Sequence, residues 1–490
     1  MFRPLAAFPL RILALVLAAG GVAFFELTVH ASTFTERDSV NLARALRHFD
    51  VRMHQPHPPG YPLVVLSGHG LHWLGSSLTA YLTLDLIASL AAIVATYWLA
   101  RAMFGARAGL IAGALLVATP LFLYYAEIVS VYPSEEAFAP LVALLAYRTA
   151  TGADRSRSAF LLLPTLALGA GFRPTMLALL LPTCLVGLVI GRPPPRGVLA
   201  GAAVAATIVL AYAIPMLALS GGLHAYLHTS SQLYGDVSAG TSLLRGATLH
   251  EALDNVWVVA AGTVLTAFPA LLLVALFARR LQRPSRTALL ILASWVAPYV
   301  LLYTLGHFGK PGYVLALVPA VEVAAAGLVS RVRLAVPAAL ALAVGVLGVF
   351  LTADHVPLPG PLAHRTLPPF LPTAAVIALQ DRETRSLERM ARTCPAARCT
   401  IVSLPGTPFV WDHSPAELGR WYASGSRVLS YYGDTQTVAK LKGNVLWVGT
   451  RIPAGILLHA REVAAAGSWR YLRSNPAVTD EIVALLRRKA

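Results

Sequence analysis

Residues 192–219, RPPPRGVLAGAAVAATIVLAYAIPMLAL, decide the class of fold: after Arg192 and Arg196 come 23 residues without a single charge. A helix that crosses a bilayer needs about 20 mainly apolar residues, and this run satisfies that length. Ten further stretches of the same kind lie around it, at roughly 10–29, 79–100, 108–126, 136–150, 158–172, 174–191, 255–278, 287–305, 312–330 and 334–353. The composition agrees: 57% of the 490 residues are hydrophobic and 13% charged, against about 25% charged in a soluble domain. A soluble globular enzyme is excluded. The expected fold is mainly α, a polytopic membrane bundle of about eleven spans over residues 1–353, followed by a soluble-looking domain over 354–490.

The distribution of charge sets the expected topology. Arg3/Arg11, Arg101/Arg107, Arg148/Arg155/Arg157, Arg192/Arg196, Arg279/Arg280/Arg283/Arg286 and Arg331/Arg333 fall in every second connection, beside one acid, Asp154. Cationic connections mark the cytoplasmic side. The opposite connections carry Glu36, Asp38, Asp50, Glu127, Glu135, Glu136, Asp236, Glu251 and Asp254, so the outer face is acidic and the tail lies outside. The alternation requires residues 61–77 to lie along or dip into the outer surface without crossing, and Gly68, His69, Gly70 and His72 suit that. Arg3/Arg11, the apolar run 12–25 and Val29-His30-Ala31 could also form a signal peptide. The net charge of +16 is accounted for by these flanks and the tail, so no nucleic-acid partner is implied. The 35 Arg against 4 Lys, and the absence of any Asn-x-Ser/Thr acceptor, suit a bacterial inner membrane.

Cytoplasmic connections are a few residues long, and no P-loop or G-x-G-x-x-G pattern occurs. Chemistry is therefore expected outside, in loops 30–78 and 220–254, turns 124–135 and 306–311, or the tail. In the tail, strand-like runs at Thr400–Leu404, Arg427–Tyr432 and Asn444–Gly449 alternate with helical patterns near 414–424 and 434–442, which suggests a small α/β domain with a parallel sheet. Ser414-Pro415-Ala416-Glu417 is a helix-start pattern. Cys394 and Cys399 are either a disulfide or two thiols. Cys184 belongs to packing in a span.

The densest constellation of reactive side chains follows the first span: Phe34-Thr35-Glu36-Arg37-Asp38-Ser39, a helical stretch 39–49, and His54-Gln55-Pro56-His57-Pro58-Pro59-Gly60-Tyr61-Pro62. Along 39–49, Val40, Leu42, Ala43, Leu46 and Phe49 share one face and Asn41, Arg44, Arg47 and His48 the other, as in a helix lying at a membrane surface. Asp38 then stands at its N-terminal end, where it serves as an N-cap, a reactive acid, or both. Pro58-Pro59 turns the loop back towards the membrane.

The first span, this loop acid, the surface helix, His57-Pro58-Pro59-Gly60-Tyr61-Pro62-Leu63, and Ala126-Glu127-Ile128-Val129-Ser130-Val131-Tyr132 two spans later together resemble the GT-C superfamily of membrane glycosyltransferases, in the protein O-mannosyltransferase-like branch. Gly309-Lys310-Pro311-Gly312-Tyr313-Val314 followed by Pro319 is similar to a turn in the same branch. The resemblance covers residues 10–330 and not the tail. It implies a polyprenyl-phosphate sugar as donor, with a protein, glycan or lipid hydroxyl as acceptor. It also implies that the first-loop acid, here Asp38, is the catalytic base or, in some branches, a metal ligand. An inverting displacement then places Asp38 on the acceptor side and cations on the phosphate side.

The cations offered are Arg173, Lys310 and His307. Arg173, in Gly171-Phe172-Arg173-Pro174, reads equally as a surface arginine or a phosphate ligand. Glu127, after Tyr124-Tyr125, reads as an interfacial carboxylate or as a catalytic group that orients the acceptor, the base or a metal. His57, Glu36 and Tyr61 complete the loop side, while Glu135 and Glu136 read as solvated loop charges. Glu36-x-Asp38, or His48, His54, His57, His69 and His72, could bind Mg or Mn, although neither His-x-x-His pair has the remaining ligands at a diagnostic spacing. The competing class is a transporter or flippase for lipid-linked sugars, which needs ionisable groups in mid-membrane. Only Asp85 and Glu322 approach that description.

Overall fold

The computed structural model describes residues 29–238, 241–358, 367–404, 413–431, 436–437 and 440–487. All but the last residue of the expected span 10–29, and residues 434, 435, 438 and 439 of the helical pattern near 434–442, lie outside these residues. The chain divides into two compact units, one holding residues 44–374 and the other residues 31–43 with 375–490.

The first unit is helical. Each of the other ten expected spans is occupied by helix, the longest being Ser77–Phe104 and Pro195–Leu219. Among the described residues, four helices are long and apolar enough to cross a membrane singly: these two, Arg286–Gly306 and Ala335–Thr352. Two expected spans are broken. The stretch 108–126 becomes Ala106–Val117 and Pro120–Ala126, bent by 68°, and 255–278 becomes Leu249–Thr266 and Phe268–Leu276, bent by 65°. The cause is Pro120 and Pro269 in the first turn of each second helix. Their missing N–H and their ring's clash with the carbonyl four residues back end the preceding helix.

Between the spans, residues 61–77 form the helix Pro62–Leu71 and a short 3-10 turn, with Leu66 and Trp73 exposed. At 1.5 Å per residue a ten-residue helix reaches about 15 Å, half the thickness of a bilayer core. The helix Leu249–Thr266 begins inside the expected outer loop because Thr248 and Glu251 close a capping box.

The second unit contains a five-stranded sheet of order β2-β1-β3-β5-β4, with β1 Cys399–Ser403, β2 Arg427–Ser430, β3 Asn444–Gly449, β4 Arg461–Ala466 and β5 Trp469–Ser474. β1 pairs in parallel with β2 and β3, as the sequence suggested. β5 runs antiparallel to both β3 and β4, so the sheet is mixed. Cys394 and Cys399 form a disulfide. Helices Ala374–Arg392, Pro415–Tyr422 and Pro476–Arg487 complete the unit, together with Ala31–Ala43 from the first loop.

Candidate functional site

Arg173 caps the C-terminus of helix Arg155–Phe172, and Pro174 starts the next helix, so the chain turns sharply at the guanidinium. Its Nη1 donates to Glu135 Oε2, and Tyr299 Oη donates to Glu135 Oε1 at 2.7 Å. Neither charge is at a surface: Arg173 is 7% and Glu135 1% exposed. This corrects the reading of Glu135 as a solvated loop charge and removes the surface-arginine alternative for Arg173. Glu136 is buried too, neither carboxylate oxygen has a hydrogen-bond partner among the described residues, and it feels the charge of Glu322. Glu322 itself accepts from Thr119 Oγ1 at 2.8 Å, and Asp85 from the Ser130 amide at 3.1 Å.

Aromatic rings close around the pair. The Arg173 guanidinium carbon lies 4.8 Å from the Tyr132 ring centre and 5.2 Å from that of Tyr313, within the range of cation–π attraction. Tyr303 stacks on Tyr313 at 5.0 Å, and Tyr125 meets Tyr132 edge-on at 4.7 Å. Lys310 is buried and close enough to the Tyr132 hydroxyl to act on it electrostatically. The glycines beside Lys310 explain how its turn fits: a Cβ on Gly312 would stand 2.5 Å from Tyr132 Cε2, and one on Gly309 2.8 Å from His307 Nε2. Gly312 thus lets the turn lie flush on the Tyr132 ring.

The loop side reaches the same cluster. Gly60, at φ +116°, adopts a conformation that disfavours any side chain, and Tyr61 follows it into the helix Pro62–Leu71. Leu63 of that helix packs on Gly171, two residues before Arg173. The Tyr61 hydroxyl meets His57 Nε2 at 3.0 Å and acts electrostatically on Arg173. His307 packs edge-on to Tyr313 at 6.3 Å with Nδ1 3.3 Å from Thr241 Oγ1. Burial holds its imidazole below the ordinary histidine range, so at neutral pH it offers a hydrogen bond and no charge.

Glu127, in the turn after helix Pro120–Ala126, is fully buried, and among the described residues neither carboxylate oxygen has a hydrogen-bond partner. Burial raises its carboxyl to about 8. A carboxyl that keeps its proton at pH 7 can donate a hydrogen bond, but it cannot take a proton from an acceptor hydroxyl.

An apolar groove of about 400 Å³ runs between helices Ser77–Phe104 and Tyr132–Thr151, lined by Leu84, Ala88, Ala95, Trp98, Phe138 and Phe172 among others. Two of its lining residues, Ser134 and Phe172, directly precede Glu135 and Arg173. The groove therefore adjoins the charged pair.

Asp38 and Glu36 belong to the second unit. The helix they introduce, Arg37–Ala45, is shorter than the expected 39–49 and lacks a polar outer face along its middle, since Val40, Asn41, Leu42 and Ala43 are all buried. Asp38 lies in its first turn, two residues beyond the position a capping side chain would take. Ser39 Oγ instead bridges the Glu36 amide and carbonyl. Asp38 is half-buried and Glu36 buried.

Among the described residues, no three His, Cys, Asp or Glu side chains are gathered to hold a metal ion. Glu36-x-Asp38 and the histidines between 48 and 72 thus form no such group of three among the described residues.

A many-helix membrane block with a first-loop acid, a buried cationic cluster beside an apolar groove, and a small α/β tail defines a polytopic membrane protein of the GT-C fold. Residues 56–219, a third of the chain, match the family model described as dolichyl-phosphate-mannose-protein mannosyltransferase. ArnT from Cupriavidus metallidurans bound to undecaprenyl phosphate is similar over 95% of this chain and 98% of its own, at 13% identity and a TM-score of 0.53. The same protein in the apo state gives 96%, 99%, 13% and 0.54. AglB, the oligosaccharyltransferase of Archaeoglobus fulgidus, in complex with an inhibitory peptide and a dolichol-phosphate, is more distant, at 12% identity, 88% and 69% coverage and a TM-score of 0.42. Among curated proteins none matches the chain. The GT-C resemblance read from the loop motifs is borne out.

Proposed function

We propose that the protein is a membrane glycosyltransferase that moves a sugar, a mannose-like hexose or a pentose, from a polyprenyl-phosphate donor to an acceptor hydroxyl at the outer face of a bacterial inner membrane. The observation that carries this reading is the meeting of Arg173 and Lys310 at Tyr132, buried and beside an apolar groove. A polyprenyl phosphate has just these two parts, an anionic head and a long apolar chain. Glu135 engages one nitrogen of Arg173, whose guanidinium carries five N–H donors in all. A phosphate arriving at Tyr132 would share Arg173 with Glu135 and approach Lys310, while the first isoprene units lie along Phe172 and Phe138.

Transfer is then a single displacement with inversion. The acceptor oxygen attacks the anomeric carbon, Asp38 takes its proton, and the bond from that carbon to the phosphate oxygen breaks, releasing polyprenyl phosphate. A positioned base supplies about 10²–10⁴-fold, and cations set where the phosphate charge develops supply a comparable or larger share. Glu127, protonated, orients the acceptor. His57 and Tyr61 border the sugar, and His307 supports the phosphate as a neutral donor. The acceptor is a protein, glycan or lipid hydroxyl.

The test is to incubate the purified full-length protein with radiolabelled undecaprenyl-phosphate hexoses and pentoses, together with bacterial envelope protein, glycan and lipid fractions as acceptors, and follow release of undecaprenyl phosphate, with and without chelator. Release in both conditions is expected. A wild-type protein that turns over no member of the panel removes the reading.

A further inference from the structure

The first-loop segment that carries Asp38 is tied, residue after residue, to the C-terminal domain. The Ser32 amide donates to Asp381 Oδ2 at 2.8 Å, and the Ser32 hydroxyl donates to the same oxygen. Thr33 Oγ1 donates to Asp381 Oδ1 at 2.6 Å. The Phe34 amide donates to Tyr422 Oη at 2.6 Å, and the Phe34 ring meets Trp421 edge-on at 5.7 Å. The Thr35 carbonyl is held by His413 Nδ1, and Arg37 Nε pairs with Glu417 Oε2 at 3.4 Å.

These ties are built from buried groups. His413 Nε2 meets Glu383 Oε2 at 3.0 Å, and both side chains are under 5% exposed. The ring thus spans the Thr35 carbonyl and the Glu383 carboxylate, one at each nitrogen. The other oxygen of Glu383 accepts from the Ser468 amide at 2.5 Å and the Ser468 hydroxyl at 2.6 Å, in the turn between β4 and β5. Gly467 makes that turn at φ +59°, where a Cβ would stand 2.5 Å from Glu383 Oε1. The Trp469 ring stacks on His413 at 4.9 Å. Buried carboxylates are costly unless satisfied: Asp381 is satisfied by Ser32 and Thr33 of the loop, while Glu383, held within the domain by Ser468, holds the His413 ring that binds the Thr35 carbonyl.

We propose that Asp381 and the His413–Glu383 pair are positioning residues for Asp38, and that setting this acid is a task of the C-terminal domain. The inference rests on the reading of Asp38 as the base. Helix Arg37–Ala45 begins one residue before Asp38, so fixing residues 32–37 fixes the first helical turn and with it the carboxylate. Precision at this level matters to rate far more than to binding, since a displacement of about 1 Å can cost on the order of 10²-fold.

The experiment uses full-length protein in detergent. Asp381→Asn and His413→Gln cut the ties from the domain side. The pair Ser32→Ala with Thr33→Val cuts them from the loop side and leaves the domain's own residues intact. Turnover of the panel donor, the Kd for undecaprenyl phosphate and Tm are measured for each, alone and combined with Asp38→Asn. The expected result is a kcat lower by on the order of 10²-fold, a Kd within about twofold of wild type, and no further loss in the Asp38→Asn background. A kcat near wild type in the folded loop-side variant overturns the proposal and leaves Asp38 as base. Parallel losses of Kd, Tm and the residual Asp38→Asn activity indicate a merely structural network and also overturn it. Normal turnover by Asp38→Asn alone removes the base and the proposal together.

Discussion

Arg173 donates to Glu135 while its guanidinium carbon lies 4.8 Å from the Tyr132 ring, so one cation is shared between a carboxylate and an aromatic face inside the helical unit. Removing Arg173 alone strands a buried carboxylate, a loss of about 3–5 kcal/mol. Arg173→Ala is therefore expected to lower Tm sharply, and Arg173→Ala with Glu135→Ala to recover much of that loss without recovering affinity for undecaprenyl phosphate. Thermal melts beside lipid-phosphate binding separate the two effects. Full recovery of binding in the double variant would release Arg173 from phosphate recognition.

Lys310 is buried and its charge acts on the Tyr132 hydroxyl. Lys310→Ala is expected to weaken undecaprenyl phosphate binding by about tenfold, or roughly 1.4 kcal/mol. An unchanged Kd would place the phosphate elsewhere.

Gly312 lies against the Tyr132 ring. Gly312→Ala pushes the ring from its place, at about 1–3 kcal/mol for overpacking, and should reduce both Tm and lipid-phosphate affinity. Gly345, with nothing within 4 Å of a Cβ, is the control: Gly345→Ala is expected to leave affinity unchanged.

Glu127 supplies a pH signature. Its folded carboxyl titrates at about 8, above the unfolded value of about 4.3. The folded state binds the extra proton between those values, so the stability that Glu127 contributes is full below about pH 4.3 and is lost as pH rises through 8. Glu127→Gln has no such proton to lose. The Tm of the variant minus that of wild type should grow from pH 5 to pH 9, and a difference that stays flat would contradict a raised carboxyl.

Asp38→Asn tests the chemistry directly. As the base it is worth about 10²–10⁴-fold in kcat, with donor affinity retained, because the phosphate cluster is built from other residues. Stopped-time release of undecaprenyl phosphate beside equilibrium binding reads both quantities.

Much of this site could be read along the chain. Arg173, Lys310, His57 and Tyr61 were each visible as an unusual residue in an apolar or glycine-rich context; Arg173 and Lys310 meet at Tyr132, Tyr61 acts on Arg173 and His57 meets Tyr61. Glu135 and Tyr299 were not visible. A carboxylate at the start of a span has the same hydropathy whether it faces water or a buried arginine 38 residues away, and a tyrosine in an apolar helix resembles packing until its hydroxyl finds an acid. Strands β4 and β5 escaped as well. Arg461–Ala466 is charged and alanine-rich, weak in strand propensity, and it becomes a strand only because β5 pairs with it across the Gly467 turn.

What the sequence determined by itself is the membrane block: hydropathy and charge act locally, so the apolar stretches and their flanks follow from neighbours in the chain, although the breaks before Pro120 and Pro269 interrupt two stretches read as single spans. Only tertiary structure decided that residues 31–43 fold with the C-terminal domain. That choice is made by hydrogen bonds between groups nearly 350 residues apart, Ser32 and Thr33 with Asp381, and their satisfaction on burial cannot be inferred from either end alone.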